Sequence, residues 1–238
     1  MKNFNVDILA FGAHPDDVEC AAAGVILSTI HKGGTVVLTD LTRGEMGSYG
    51  TVESRKEEAL KAAKIMGIFN REQLDLCDGK IKNSIKNQEK VIELIRNYRP
   101  KIVLANAFTD RHPDHRKAAK LVSDACFLSG LKRNITKYNG KIQEQWRPLA
   151  VYHYIQDYFI QPHFVVDISD YFTTKMEVVK AYNTQFVTAN DAHPNGTNAL
   201  LDQIKATNQI FGRSINRRFA EGFVSQRYVG VEEITSLV

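Results

Sequence analysis

The chain has 238 residues, with 31 Lys and Arg against 27 Asp and Glu, a formal charge of +4, 43% hydrophobic residues and 24% charged ones. These proportions exclude disordered and fibrous classes and suit one domain, residues 1–238, that can bury a core. The basic residues are scattered rather than massed, which predicts no nucleic-acid partner and leaves room only for a local basic group around a small anionic substrate.

Short apolar runs alternate with longer amphipathic ones. Val6–Phe11 predicts a buried strand, and a helix follows from Val18 to Lys32, stopped by Gly33-Gly34. Thr35–Leu41 predicts a second strand. Beyond a glycine-rich loop, Glu53–Met66 sets Ala59, Ala62, Ala63 and Met66 on one helical face and ends at Gly67. Leu74–Cys77 predicts a third strand, and Gln88–Tyr98 a helix closed by Arg99-Pro100. Ile102–Ala105 makes the fourth strand and Asp114–Leu128 the next helix. Leu149–Ile155 and Phe164–Ile168 predict further strands, and Tyr171–Asn183 and Thr197–Phe211 two last helices. The alternation predicts an α/β, Rossmann-like doubly wound sheet, mainly parallel, with helices on both faces. In strand order 3-2-1-4-5, strands one and four are neighbours at the topological switch point, where ligands bind beyond the strands' carboxyl ends.

Cys20, Cys77 and Cys126 form no Cys-x-x-Cys pair and are an odd count, which predicts small apolar fillers in a reducing, cytoplasmic setting. The segment after Lys2 is interrupted by Asn5 and Asp7, so no secretory signal is read. The apolar stretch Ala21–Leu27 is far too short for a membrane span.

His-Pro-Asp occurs twice, as His14-Pro15-Asp16-Asp17 and as His112-Pro113-Asp114-His115, each after one of the two central strands. One such tripeptide is a turn with an Asp cap. Two at adjacent strand ends, with the extra Asp17 and His115, supply the His-Asp-His set of a catalytic zinc site. Asp16 and Asp17 fall at a helix start, where the dipole favours carboxylates. We assign Asp17 to the metal and Asp16 to proton transfer, although spacing alone does not distinguish them. His112 is a second electrophile, an acid for the leaving amine, or only a hydrogen-bonded loop residue, and Asp114 is placed to orient it.

Other residues are weighed against plainer roles. His31 reads as a cation at a helix end, His153 and His163 as packed or edge residues, and His193 as a weak substrate contact. Arg43, Arg55 and Arg111 lie in or just after loops on the site's face and could grip a substrate carboxylate or hydroxyl. For Arg55 an exposed helix position paired with Glu58 is an equal alternative. Asp75 and Asp78 form no second metal pattern. The loop Thr42–Thr51 fits no phosphate-binding motif, and the acidic turn Gly12–Asp17 would repel a pyrophosphate.

Ala13-His14-Pro15-Asp16-Asp17-Val18-Glu19 and Arg111-His112-Pro113-Asp114-His115 resemble the two motifs of the LmbE-like (PIG-L) zinc deacetylases, over essentially the whole chain. The stretch Leu41–Gly47, continuing through Gly50-Thr51 and Glu53-Ser54-Arg55, resembles the bacillithiol-biosynthesis branch, which deacetylates N-acetylglucosaminyl-malate. The resemblance implies one Zn2+ per subunit on His14, Asp17 and His115, with other divalent ions accepted. It implies Asp16 as general base, His112 as oxyanion-stabilising or acid residue with Asp114 behind it, and Arg55 and Arg111 near the sugar or its acidic substituent. It also implies a small N-acetylglucosaminyl substrate and a homo-oligomer, often a hexamer. No residue is carried over from Lys132 onward. The alternatives are a deacetylase of another N-acetylglucosaminyl compound, such as a chitooligosaccharide, and a non-catalytic nucleotide-binding module.

Overall fold

The computed structural model describes residues 4–187 and 197–236. A seven-stranded sheet runs in the order β3-β2-β1-β4-β7-β9-β8. Its strands are β1 (Ile8–Gly12), β2 (Val36–Asp40), β3 (Asn70–Gln73), β4 (Ile102–Asn106), β7 (Ala150–Tyr154), β8 (Phe164–Asp167) and β9 (Ala220–Ser225). A separate small hairpin joins β5 (Lys137–Tyr138) and β6 (Lys141–Ile142). The pairs among β3, β2, β1, β4 and β7 are all parallel, while β9 runs antiparallel to both β7 and β8. Strand β1 lies between β2 and β4, with Ile8 opposite Val36 on one side and Ile102 on the other. The expected doubly wound order is thus realised through its first five strands.

Helices cover both faces, as continuous apolar strands require. Ile8, Ala10 and Leu104 pack under α1 (Asp17–His31), α2 (Val52–Met66) and α5 (Phe172–Lys180). Leu9, Phe11, Val103 and Ala105 pack under α3 (Ile85–Tyr98) and α4 (Pro113–Ser129). The period-two alternation of side chains along each strand feeds both layers. No helix among the described residues is long and apolar enough to cross a membrane.

Besides the unexpected β5–β6 hairpin, four elements depart from expectation. The third strand is Asn70–Gln73 rather than Leu74–Cys77. It is a polar edge strand, with no apolar run to reveal it. Arg71 secures it, binding both oxygens of Asp40 at 2.7 Å and Glu19 Oε1 at 2.6 Å, with Tyr182 also in reach at 2.9 Å. Helix α3 starts earlier, at Ile85, because Ser84 caps it by accepting from the Asn87 N–H. The helix expected over Tyr171–Asn183 divides into α5 and α6 (Asn183–Phe186), since Tyr182 leaves helical geometry with ψ 67°. After α7 (Thr197–Ser214) comes β9, which was not expected at all.

Strand β9 inserts between β7 and β8 and carries the buried Glu221. That carboxylate accepts the N–H groups of Gly24 and Val25, inside α1, at 2.8 Å each, and pairs with the fully buried Lys175 of α5 at 2.7 Å.

Candidate metal centre

The two His-Pro-Asp turns emerge side by side from the carboxyl ends of β1 and β4. Gly12 permits the first turn: a Cβ there would lie 2.8 Å from the His14 carbonyl oxygen. The chain then enters α1 through Asp16, whose φ of 115° is a left-handed conformation costly for a residue with a side chain. Asp17, the first helical residue, turns back and accepts the His14 N–H at 2.9 Å. In the second turn His112 is the N-cap of α4, its Nδ1 accepting the Asp114 N–H at 3.2 Å, with Pro113 at the first helical position.

These turns bring His14, Asp17 and His115 together in a buried cluster. Asp17 Oδ1 lies 3.1 Å from His115 Nε2, and Asp17 Oδ2 lies 3.5 Å from His14 Nδ1. Asn106 and Gln156 also donate to the Asp17 oxygens, at 3.0 and 2.8 Å. Burial opposes ionisation of Asp17, yet the His115 and His14 imidazoles hold its carboxyl well below the usual range. Burial likewise disfavours charge on the imidazoles, but Asp17, with Asp78 or Asp110, raises His14 to about 10 and His115 to about 9. The cluster therefore attracts positive charge.

His14 Nε2 and Asp114 Oδ2, 3.9 Å apart, are buried without a well-formed hydrogen bond, a condition that polar groups in a core rarely tolerate. Ligand atoms of His14, His112 and His115 lie within 4.8 Å of one another, as do those of His14, Asp78 and Asp114. Imidazole and carboxylate donors so converged and so buried fit a divalent ion of the zinc type.

The other expected residues divide. Asp16 sits beside the cluster, where Arg55 Nη2 donates to its Oδ2 at 2.9 Å and to the Pro15 carbonyl at 2.6 Å. Burial lifts the Asp16 carboxyl to about 7 against the pull of Arg55. Arg55 is itself buried, and Glu58 instead binds Thr184, so the exposed reading of Arg55 falls. At Gly44, with φ +67°, a Cβ would lie 2.7 Å from the Arg55 guanidinium, so the loop backbone packs directly on that side chain. His112 lies beside His14, ring centroids 4.6 Å apart, and burial followed by the neighbouring imidazoles lowers its pKa. Asp114 meets His112 through its backbone N–H, while its carboxylate faces His14 and Lys117.

Arg111 stands exposed at the cavity rim with Nε on Asp157 Oδ2 at 2.7 Å. Arg43 is not brought to the site: it pairs at 3.2 Å with the exposed Asp75, outside the cavity lining. His153 is buried with Nδ1 2.7 Å from the Asn106 carbonyl oxygen, and His163 Nδ1 accepts the Ser225 N–H. His193 lies outside the described residues.

Sequence reasoning set Asp78 aside as part of no metal pattern and passed over Asp110, Asn106 and Gln156. Asp110 Oδ1 lies 3.0 Å from His115 Nδ1, and Asp78 Oδ1 lies 3.0 Å from His14 Nε2. Asp110 offered a signal, being five residues before His115; Asp78 offered none beyond its place after a strand. The whole assembly opens into a cavity of about 540 Å3, whose far side is formed by Met46, Gln185, Phe186, Leu200 and Ile204.

Comparison with known proteins agrees with this geometry. The profile of the family described as PIG-L, GlcNAc-PI de-N-acetylase, matches residues 9–126, which contain both motifs. A solved structure, the conserved protein TT1542 from Thermus thermophilus, is 31% identical, covers 95% of this chain and 98% of its own, and superposes with a TM-score of 0.86. The diacetylchitobiose deacetylase of Thermococcus kodakarensis is 28% identical over 90% of this chain and 81% of its own length. A probable N-acetyl-alpha-D-glucosaminyl L-malate deacetylase 2 of Bacillus anthracis is 25% identical over 79% and 84%. With both motifs joined at the switch point and these likenesses running along most of its length, the chain belongs to the PIG-L, LmbE-like family of N-deacetylases.

Proposed function

We propose that the chain is a zinc-dependent hydrolase that removes the acetyl group from N-acetylglucosaminyl-L-malate in bacillithiol biosynthesis. The observation that carries the reading is the convergence of Asp16 and His112 on the His14–Asp17–His115 cluster within one cavity. Zinc held by His14, Asp17 and His115 would supply a Lewis acid that polarises the acetamide carbonyl and makes water acidic.

The chain's own groups move the protons. The Asp16 carboxylate, anchored by Arg55, takes the proton of the water that attacks the acetamide carbon. Its pKa near ambient pH suits a group that must accept a proton and return it to the departing amine. His112, with Nδ1 occupied as an acceptor and its pKa lowered, is neutral and carries its proton on Nε2. That N–H donates to the oxyanion as the tetrahedral centre forms. Collapse breaks the C–N bond and leaves acetate and the free amine. Arg111, at the rim, is the cation that meets the malate carboxylates.

One observation favours a second substrate. Arg55 is committed to Asp16, Arg43 to Asp75 and Arg111 to Asp157, while Asp78 adds negative charge to the lining. A neutral chitooligosaccharide would suit such a cavity. Acetate release by zinc-replete protein separates the two: kcat/KM at least tenfold higher for the malate glycoside than for diacetylchitobiose is expected. The reverse preference selects the second reading, and no acetate from either overturns both.

The reading includes a cytoplasmic setting, supported by three cysteines free of disulfides, and self-association as far as a hexamer. Exposed Phe127 and Leu131 at the end of α4 and Leu149 before β7 support such an interface. Native mass spectrometry checks it.

A further inference from the structure

The two imidazoles of the cluster share one pattern. Each faces Asp17 through one nitrogen and a second carboxylate through the other. His115 meets Asp17 at Nε2 and Asp110 at Nδ1; His14 meets Asp17 at Nδ1 and Asp78 at Nε2. Metal-binding histidines regularly give their remaining N–H to a carboxylate, which fixes the tautomer and the ring's orientation.

Asp78 is built for that task. It is buried, its Oδ2 accepts the Met46 N–H at 2.9 Å, and its own N–H donates to Glu45 Oε1 at 3.0 Å. Glu45 Oε2 in turn accepts the Arg43 N–H at 3.2 Å, so the carboxylates of Asp78 and Glu45 lace the glycine-rich loop to the segment after β3. Only Oδ1 of Asp78 faces His14. The 3.0 Å approach is off the line of a good hydrogen bond, the looseness expected of a contact that tightens when the site is occupied.

We propose that Asp78 is a positioning residue for His14: it accepts the Nε2–H, directs Nδ1 to the metal, and ties the glycine-rich loop over the cavity to that ligand. His14 and His115 then bind one ion through opposite nitrogens, Nδ1 and Nε2. The loop that touches His14 through Asp78 also touches Asp16 through Arg55, so a single segment sets the attitude of both a ligand and the base.

This inference rests on the reading of the cluster as a metal centre, and the test separates the two. The full chain, labelled with 15N-histidine and loaded with 113Cd2+, is examined by NMR. Cadmium coupling at His14 Nδ1 and His115 Nε2, with a protonated His14 Nε2, is the expected result. Coupling at His14 Nε2 would overturn the inference while leaving the metal centre intact. Absence of cadmium binding would overturn both. In Asp78→Asn, competition with a chromophoric chelator should show zinc binding weakened 10–100-fold, whereas Asp75→Asn in the same loop should bind as wild type. Unchanged zinc affinity in a folded Asp78→Asn would also overturn the inference. Should that variant not fold, the coupling pattern of the unsubstituted chain decides alone.

Discussion

Asn106, the last residue of β4, grips Asp17 across the sheet: its Nδ2 donates to Asp17 Oδ2 at 3.0 Å while its Oδ1 accepts the Ala13 N–H at 3.0 Å. One amide therefore joins the two strand ends and leaves the carboxylate facing the imidazoles. Asn106→Leu should strand the Ala13 donor and free Asp17 to turn. A loss of about 1–3 kcal/mol in urea unfolding of the zinc-loaded chain is expected, together with a fall in kcat/KM. A variant as stable and as active as wild type would show that the grip is idle.

Asp16 and His115 should separate chemistry from metal binding. Asp16→Asn keeps the Arg55 contact and is expected to retain zinc by elemental analysis while losing about 10²–10⁴-fold in turnover. His115→Ala should lose the zinc itself. Chelation of the wild type should abolish activity, with recovery on adding zinc back. Equal turnover in wild type and Asp16→Asn would remove Asp16 from the mechanism.

His112 offers a narrower test. Its proposed duty arises only as the oxyanion forms, so His112→Ala should lower kcat by about 10²–10³-fold with little change in KM. A change confined to KM would instead make His112 a substrate-binding group.

His153 should give folding a pH dependence. Burial lowers its pKa from 6.5 to about 4, so the unfolded chain binds more protons than the folded one between those values. Its contribution is at its most favourable above about pH 6.5 and is lost as pH falls towards 4. At pH 5 the loss is about 2 kcal/mol relative to pH 7. His153→Gln should remove that difference, measured as wild type minus variant in urea titrations at both pH values. Parallel curves would show that His153 titrates alike in both states.

The buried Lys175–Glu221 pair should be costly to break. Lys175→Met leaves a carboxylate in the core, and about 3–5 kcal/mol of stability should disappear in chemical unfolding. Glu221 would keep its two α1 amides, so the helix should still form in the variant that folds. A loss below about 1 kcal/mol would mean that solvent reaches Glu221.

The central strands were legible because β1, β2 and β4 are buried on both faces and read as apolar runs. The edge strand Asn70–Gln73 was not, since its place is set by Arg71 reaching Asp40 and Glu19, a tertiary effect that leaves no local period. Strand β9 was missed for a related reason: glycine and a charged residue interrupt Ala220–Ser225, and only the distant Lys175 and α1 amides make Glu221 acceptable there. At the site, His14, Asp16, Asp17, His112 and His115 could be read because each lies within a few residues of its motif partners. Asp78 and Gln156 come from loops whose approach depends on the finished sheet. The orientation of Asp114 towards His14 could not follow from its place two residues after His112.

Strand β9 also imposes an order of assembly. The helix that begins with Asp17 has two of its amides bound by Glu221, 197 residues beyond Gly24, and among the described residues β8 joins the sheet only through β9. During synthesis both His-Pro-Asp turns leave the ribosome long before this strand does. A nascent chain arrested short of Phe219 would hold every expected ligand yet present an open β7 edge and an unsecured first helix. Such a chain should be a client for chaperones and a target for proteases. Maturation of the centre is thereby deferred until the chain has been made through β9.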